Sequence, residues 1–462
     1  MPDLSTNMCG IRSPNPFWLA SGPPTNTAYQ VRNAFEAGWG GAVWKTLTND
    51  PIVNVASRYG GINLNNQRLM GLNNIELISD RPLEDNLREI AEVKRDYPDH
   101  AVVASLMVES SREAWHEVTK RTQDAGVDGL ELNFGCPHGM SERGMGSAVG
   151  QVPEYAEMIT AWVKEVATVP VLVKLTPNVT NIAAIGRAAV NGGADGISLI
   201  NTINSIMGVD LNSFSPKPQV GGYGSHGGYC GPAVKPIALN MVSAIAADPE
   251  INVPISGIGG IRKWSDAVEF ILMGATTLQV CTAVMHRGFG IIHGMLKGLH
   301  DWMQEKGFEH LDDFRGLSVR KIRPWGELDL NYKVVAEINE STCIHCGICY
   351  ASCEDGCYQA IAWDKIPRAD YVTKYGEPRK LRGEGAPALK LSADGTASAV
   401  DVFTVKLEEC VGCNMCALAC PVEGCITMKE VPTGKPAMNW NQYQQLLAEG
   451  KVTKIEPKQM QR

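Results

Sequence analysis

Two cysteine runs in the last third of the chain constrain its fold more tightly than any other feature. "CIHCGICYASC" sets Cys343, Cys346, Cys349 and Cys353 in the spacing C-x2-C-x2-C-x3-C. "CVGCNMCALACP" repeats it at Cys410, Cys413, Cys416 and Cys420, with Pro421 directly after. A cubane needs a thiolate on each of its four irons, and a tight loop wraps only three corners. The fourth cysteine lies on the following helix and points at the other cluster when two motifs pair, so the chain must fold back on itself. This assigns one 4Fe–4S cluster to Cys343, Cys346, Cys349 and Cys420, and a second to Cys410, Cys413, Cys416 and Cys353. Zinc is the competing occupant, but four regularly spaced cysteines, twice over, suit a cubane better than a four-thiolate zinc site. Glu354 stands where the first motif would carry its proline, and the motifs are separated by residues 354–409. Within that gap, about 363–400 reads as an inserted loop with short strands. Cys357 and Cys425, just outside the motifs, read as buried structural thiols.

The rest of the chain is that of a folded globular protein, with 44% hydrophobic and 20% charged residues. Its formal charge of −8 argues against nucleic acid as the main partner. The N-terminal residues show no basic stretch leading into an apolar core, so no export signal is read. The most apolar long window, from Ala267, is broken by Glu269, Gly274 and Gln279 and reads as helix, turn and strand, not as a membrane span. A cytoplasmic location follows, where fourteen cysteines call for metal ligation or thiol chemistry.

Before the clusters, β-rich runs alternate with helical stretches. The runs cover 16–22, 40–47, 101–107, 129–137, 170–176, 196–202, 253–260 and 276–282. Amphipathic patterns lie between them, such as "SREAWHEVTKRTQDAG", opened by Ser and stopped by Gly. Eight such units with near-continuous apolar strands predict a (β/α)8 TIM barrel. The expected division is barrel 1–310, linker 311–336, a ferredoxin-like two-cluster domain 337–435 and a tail 436–462. A doubly wound sheet is the alternative, but no glycine-rich turn stands between a first strand and a helix with a later ribose-binding acid. No dinucleotide site is expected.

Barrel chemistry lies at the C-terminal ends of the strands. There the sequence sets Lys45, Asn133, Cys136, Lys174, Asn201 and Thr202. "GIGGI" after the seventh strand and "VCTAV" after the eighth suggest a phosphate cradle of glycine backbone and helix N-terminus. A phosphorylated cofactor that exchanges electrons singly and in pairs is implied, and FMN does both.

"NFGCPHGMSERGMG", "KLTPNV", "INTINSIMG", "GPAVKPIAL", "SGIGGI" and "LQVCTAV" together resemble the dihydropyrimidine dehydrogenases. More narrowly, the chain resembles the iron–sulfur flavoprotein subunits of the bacterial NAD-dependent enzymes, and its barrel is similar to the dihydroorotate dehydrogenases. The resemblance runs from Pro16 to about Val431. It implies Cys136 as the general acid–base, and Asn74, Glu76, Asn133, Asn201 and Thr202 as substrate-binding residues. It sets Ala20, Ser21, Lys45, Lys174, Gly231, Gly259, Gly260, Cys281 and Thr282 around FMN, with Lys174 at the N1/O2 edge. Gly135 departs from the mammalian pattern, which has serine before the catalytic cysteine.

The implied reaction is reversible reduction of the 5,6 double bond of uracil or thymine, with hydride to C6 and a proton from Cys136 to C5. An unperturbed thiol, with pKa about 8.5, would serve as that acid. Electrons would pass through the two clusters to or from a separate FAD/NAD(P)H-binding subunit, most simply in a heterotetramer, with the C-terminal tail a candidate contact. Two other readings remain: a dihydroorotate dehydrogenase-like enzyme, for which Lys45 is the one candidate cation, and an electron-transfer module without its own substrate. His138 reads as a loop hydrogen-bonder, Arg143 as solvated, Trp44 as packing, Cys281 as present for size, and Cys9 and Cys230 as structural.

Overall fold

A computed structural model describes residues 2–64, 67–378 and 398–454. Backbone contacts divide the chain into two units, 1–322 and 323–462. The first is a closed eight-stranded barrel. Its strands are β1 Phe17–Leu19, β2 Gly41–Leu47, β3 Ala101–Leu106, β4 Gly129–Asn133, β5 Val171–Lys174, β6 Gly196–Leu199, β7 Ile255–Ile258 and β8 Ala275–Val280. Each pairs in parallel with its sequence neighbour, and β8 returns to β1. All eight expected runs therefore become barrel strands.

The helices between them begin and stop where their ends are chemically satisfied. The Ser111 side chain accepts from the Ala114 N–H at the start of Arg112–Asp124, relieving one of the unpaired amides of a first turn. Thr27 and Asn181 cap Ala28–Ala37 and Ile182–Asn191 in the same way. Gly38, at φ 111°, closes the first of these in a left-handed conformation that glycine adopts without a Cβ clash. Side chains alternate across the strands. Trp18, Val43, Val103 and Leu172 point inward and meet Met8 and Ile11 of an N-terminal hairpin, Thr6–Met8 with Ile11–Ser13. Phe17, Leu19, Trp44, Val102 and Val173 point outward into the helix layer. The window from Ala267 is helix Trp264–Leu272 followed by β8, as its polar interruptions predict. Among the described residues no helix is long and apolar enough to cross a membrane.

A four-stranded sheet outside the barrel joins excursions that leave the C-terminal ends of β2 and β6. It comprises Tyr59–Leu64, Gln67–Asn74, Ile203–Ser205 and Gly227–Cys230.

In the second unit, β9 Val334–Ile338 pairs with β12 Ile426–Glu430, and β10 Ile361–Pro367 with β11 Ala399–Val405, both antiparallel. Helices Ile348–Glu354 and Met415–Ala419 carry the ends of the two cysteine motifs and pack on one another. The expected linker 311–336 is not a free connection. Residues 311–322 belong to the barrel unit, where Phe314 is fully buried against Trp302 and Phe308. Apolar burial of that kind, ~1.5–3 kcal/mol for a large side chain, draws the segment onto the barrel. Val334–Ile338 is already a strand of the second unit. The expected tail 436–462 includes helix Trp440–Ala448, whose Trp440 packs on Trp325, and residues 455–462 lie outside the described ones. The insertion at about 363–400 has the short strands expected of it and, among its described residues, a helix as well. It opens in β10, continues in helix Arg368–Tyr375 and ends in β11, and residues 379–397 lie outside the described ones.

Candidate active site and metal centres

A cleft opens at the C-terminal ends of the barrel strands. Every barrel residue that the resemblance assigns to substrate, FMN or acid–base chemistry lines it: Ala20, Ser21, Lys45, Asn74, Glu76, Asn133, Cys136, Lys174, Asn201, Thr202, Gly231, Gly259, Gly260, Cys281 and Thr282. Each reaches the cleft for a local reason. Strand ends carry Lys45, Asn133 and Lys174; the turn after β4 carries Cys136; the outer sheet supplies Asn74 and the residues beside it.

One group of polar side chains is tightly cross-linked. Asn133 Nδ2 donates to Thr46 Oγ1 at 2.9 Å, and Asn201 Nδ2 donates to Asn133 Oδ1 at 3.0 Å. The Gly135 and Thr202 N–H groups donate to the side-chain Oδ1 atoms of Asn133 and Asn201. Asn74 Nδ2 donates to the Gly228 carbonyl at 3.0 Å. A Cβ at Gly135 would lie 2.4 Å from Asn201 Cβ, so glycine is what allows Asn201 its position.

Cys136 is buried, and its thiol donates to the His138 carbonyl at 3.4 Å. Burial pushes this thiol up to about 11, because an apolar surround disfavours the thiolate. The unperturbed acid expected from the sequence is thus corrected: this proton is held well above neutral pH. His138 Nε2 lies 2.9 Å from the Glu76 carbonyl, which can only accept, so that nitrogen carries the proton. Burial holds His138 below its ordinary pKa, and Nδ1 is an acceptor with no partner among the described residues. His138 is the hydrogen-bonder expected.

The Glu76 carboxylate is held on three sides, by Lys45 Nζ at 2.6 Å, Arg58 NH1 at 3.0 Å and the Tyr59 hydroxyl at 2.9 Å. Sequence reasoning missed Arg58 and Tyr59, which lie in an excursion without strand-end periodicity. It also missed a polar centre inside the barrel. Glu131 is fully buried, its Oε1 3.3 Å from Lys174 Nζ, while its Oε2 accepts from Ser198 Oγ and Gln279 Nε2, each at 2.8 Å. An acid amid the apolar run "GLELN" was the available signal.

At the glycine end, a Cβ on Gly260 would lie 3.0 Å from the Gly231 carbonyl, and one on Gly231 would lie 3.6 Å from Thr282 Cγ2. Gly231, Gly259 and Gly260 have φ of 94°, 129° and 77°, so bare backbone forms this wall where a side chain would be strained. Gln279 lines the same cleft, its Oε1 buried without a partner, and Lys174 brings a cation. A backbone cradle, an unmatched acceptor and a buried ammonium fit a flat, polar-edged cofactor with a phosphate tail. Cys281 donates to Met285 Sδ at 3.8 Å, and burial pushes its thiol up to about 12, in keeping with a size role. Trp44 is fully buried, donating to Asn86, and Arg143 is exposed.

In the second unit, Cys343, Cys346, Cys349 and Cys420 line one cavity with Phe403 and Ile426. Cys413, Cys410 and Cys353 all lie within electrostatic reach of Cys416, which is buried. Both quartets assembled from the spacing therefore come together, each taking its fourth cysteine from the other motif. Cys425 is buried as expected, but in the first quartet's cavity wall. Cys357 is not buried: it is half-exposed, with its thiol against Cys413.

A closed parallel barrel with a polar cleft at its C-terminal face, joined to paired cysteine quartets, defines a redox enzyme class. The family profile for dihydroorotate dehydrogenase matches residues 3–303, and that for the 4Fe-4S dicluster domain matches 342–424. The chain belongs to the dihydroorotate dehydrogenase family and carries a dicluster iron–sulfur domain. Within it, the chain is 42% identical over 370 residues to the NAD-dependent dihydropyrimidine dehydrogenase subunit PreA of Escherichia coli, covering 80% of this chain and 90% of that one. It is 43% identical over 330 residues to the chloroplastic dihydropyrimidine dehydrogenase (NADP(+)) of Arabidopsis thaliana, covering 69% and 78%. The catalytic subunit of dihydroorotate dehydrogenase B (NAD(+)) from Pyrococcus abyssi is 37% identical over 323 residues, covering 69% and 99%.

Proposed function

We propose that this chain is the pyrimidine-reducing subunit of a dihydropyrimidine dehydrogenase, interconverting uracil or thymine and the 5,6-dihydropyrimidine. The observation that carries the reading is a buried, protonated thiol, Cys136, sharing one cleft with Asn74, Asn133 and Asn201. Three amides offer both donors and acceptors, which suits the alternating N–H and C=O edges of a pyrimidine. Cys136 holds a proton at Sγ for C5 and recovers it in the reverse direction. Thr46 and Asn201 fix the Asn133 amide, so substrate meets an oriented donor and acceptor. Glu76 and Thr202 complete the substrate wall.

FMN would be held by Ala20, Ser21, Lys45, Lys174, Gly231, Gly259, Gly260, Cys281 and Thr282, and when bound it supplies hydride transfer and one-electron exchange. Lys174 offers positive charge at the cleft wall, and Glu131 orients it from behind. The clusters would sit on the two cysteine quartets. A separate FAD/NAD(P)H-binding subunit is the proposed redox partner, in a heterotetramer, because no dinucleotide-binding turn occurs in the sequence. Cytoplasmic residence is supported by fourteen cysteines, all unpaired.

Dihydroorotate is less favoured on a specific ground. Its carboxylate calls for a cation, and Lys45, the candidate read from the sequence, is already paired with Glu76. A substrate-free relay would have no use for a cleft built around a held proton. The test is an anaerobic titration of the flavin-loaded protein with dihydrouracil and, separately, dihydroorotate. Bleaching by dihydrouracil is expected; bleaching by dihydroorotate alone would reverse the assignment.

A further inference from the structure

The segment between the cysteine motifs does more than connect them. Its helix Arg368–Tyr375 and strand β11 converge on one residue of the first cysteine loop, His345. His345 Nδ1 lies 2.8 Å from the Asp401 carbonyl on β11 and so donates to it. The other ring nitrogen lies 3.2 Å from the Tyr371 hydroxyl, which is also 3.2 Å from Glu340 Oε2. The two rings meet edge to face at 5.3 Å. Both are buried, Tyr371 at 1% exposure and His345 at 5%. Tyr371 is seated by Val400 and Val402, which share one face of β11. From the opposite face Phe403 forms part of the wall around Cys343, Cys346, Cys349 and Cys420, and a Cβ on Gly347 would lie 3.4 Å from its ring.

The second motif gives an internal comparison. The residue two positions after its first cysteine is Gly412, at φ 67°, whereas the first motif has His345 there at φ 55°. Both loops need the left-handed conformation, which glycine adopts freely and other residues adopt at a cost. The backbone cost of a histidine at such a position is offset here by the hydrogen bonds of its ring to Asp401 and Tyr371. Glu340, Cys343 and His345 lie close enough to suggest a mononuclear metal site, but both imidazole nitrogens already have protein partners. Each quartet has two buried cysteines, Cys343 and Cys349 in the first and Cys353 and Cys416 in the second, but the one exposed ligand, Cys413, belongs to the second.

We propose that helix Arg368–Tyr375 and strand β11 together make a built-in cap on the first cluster. It holds the Cys343–Cys349 loop through His345 and shields that cluster from solvent, leaving the second cluster the accessible one. Tyr371 and His345 are positioning residues; neither ligates iron. This rests on the two-cluster reading, and the experiment separates the two. Holoenzyme of wild type, Tyr371→Ala, Tyr371→Phe and His345→Gln is prepared anaerobically. Iron and labile sulfide are counted, the reduced clusters are compared by electron paramagnetic resonance, and iron release to a chromogenic chelator is timed. Wild type with only about four irons would sink the two-cluster reading itself. With about eight, Tyr371→Ala and His345→Gln are expected to release half of their iron about 10–100-fold faster, as loss of a partner behind a metal ligand typically does. The other half should leave at the wild-type rate, and the spectrum of one cluster alone should change. Tyr371→Phe keeps the ring in its packing and so keeps the fold; it should show a smaller change in the same direction. Unchanged release in both Tyr371→Phe and His345→Gln, or equal acceleration from both clusters, overturns the proposal.

Discussion

Cys136 carries the reaction proposed above, and its environment sets a measurable limit. Burial pushes its thiol up to about 11. At about 1.36 kcal/mol per pKa unit, that favours the protonated form by roughly 3 kcal/mol. A thiol acting as acid in the reduction of uracil therefore stays competent through the neutral and mildly alkaline range. The rate should be level to about pH 10 and fall with a one-proton slope near 11, whereas an unshifted thiol would fall from about 8.5. Stability should follow the same proton. The raised value contributes stability that is fully present below the unfolded pKa and is lost as pH rises through about 11. Cys136→Ser, whose hydroxyl does not titrate there, should lack that share of the alkaline loss. The assay is disappearance of the uracil chromophore with a reduced viologen as electron donor, across pH, for wild type, Cys136→Ala and Cys136→Ser. Cys136→Ala should lose ~10²–10⁴-fold in rate while keeping the flavin, as removal of a positioned acid does. A wild-type limb near pH 8.5, or full turnover by Cys136→Ala, would refute the reasoning, and His138 would be the next acid to test.

Other expectations follow from the same geometry. Gly135→Ser should weaken substrate binding, because its Cβ would displace Asn201; the check is KM for uracil against that of wild type. Glu131→Leu leaves the Lys174 ammonium buried without its counter-charge and should cost ~3–5 kcal/mol in chemical denaturation. Anaerobic protein should contain one FMN and about eight irons with as many labile sulfides, and stoichiometric zinc would contradict the cluster assignment. The isolated chain mixed with NADH and uracil should not oxidise NADH until the partner subunit is added; immediate oxidation would reveal a nicotinamide site.

What the sequence determined by itself is whatever depends on short range. Apolar runs about as long as a barrel strand, separated by capped amphipathic stretches, allow few arrangements, and the eight runs predicted are the eight strands observed. Cysteine spacing is local too, so both quartets could be assembled on paper, because three ligands of a cubane come from one loop. The polar residues at strand ends were legible for a similar reason: a parallel barrel gathers all of those ends on one face. Tertiary structure alone decided how these residues are partnered. Glu131 finds Lys174 across neighbouring strands, and Arg58 reaches Glu76 from an excursion the strand pattern does not register. Asn201 fills the space that Gly135 leaves, and Tyr371 closes over His345 from within an apparent loop. The shift of Cys136 belongs here as well. Desolvation depends on every neighbour around a group, and those neighbours come from distant parts of the chain that only the closed barrel brings together.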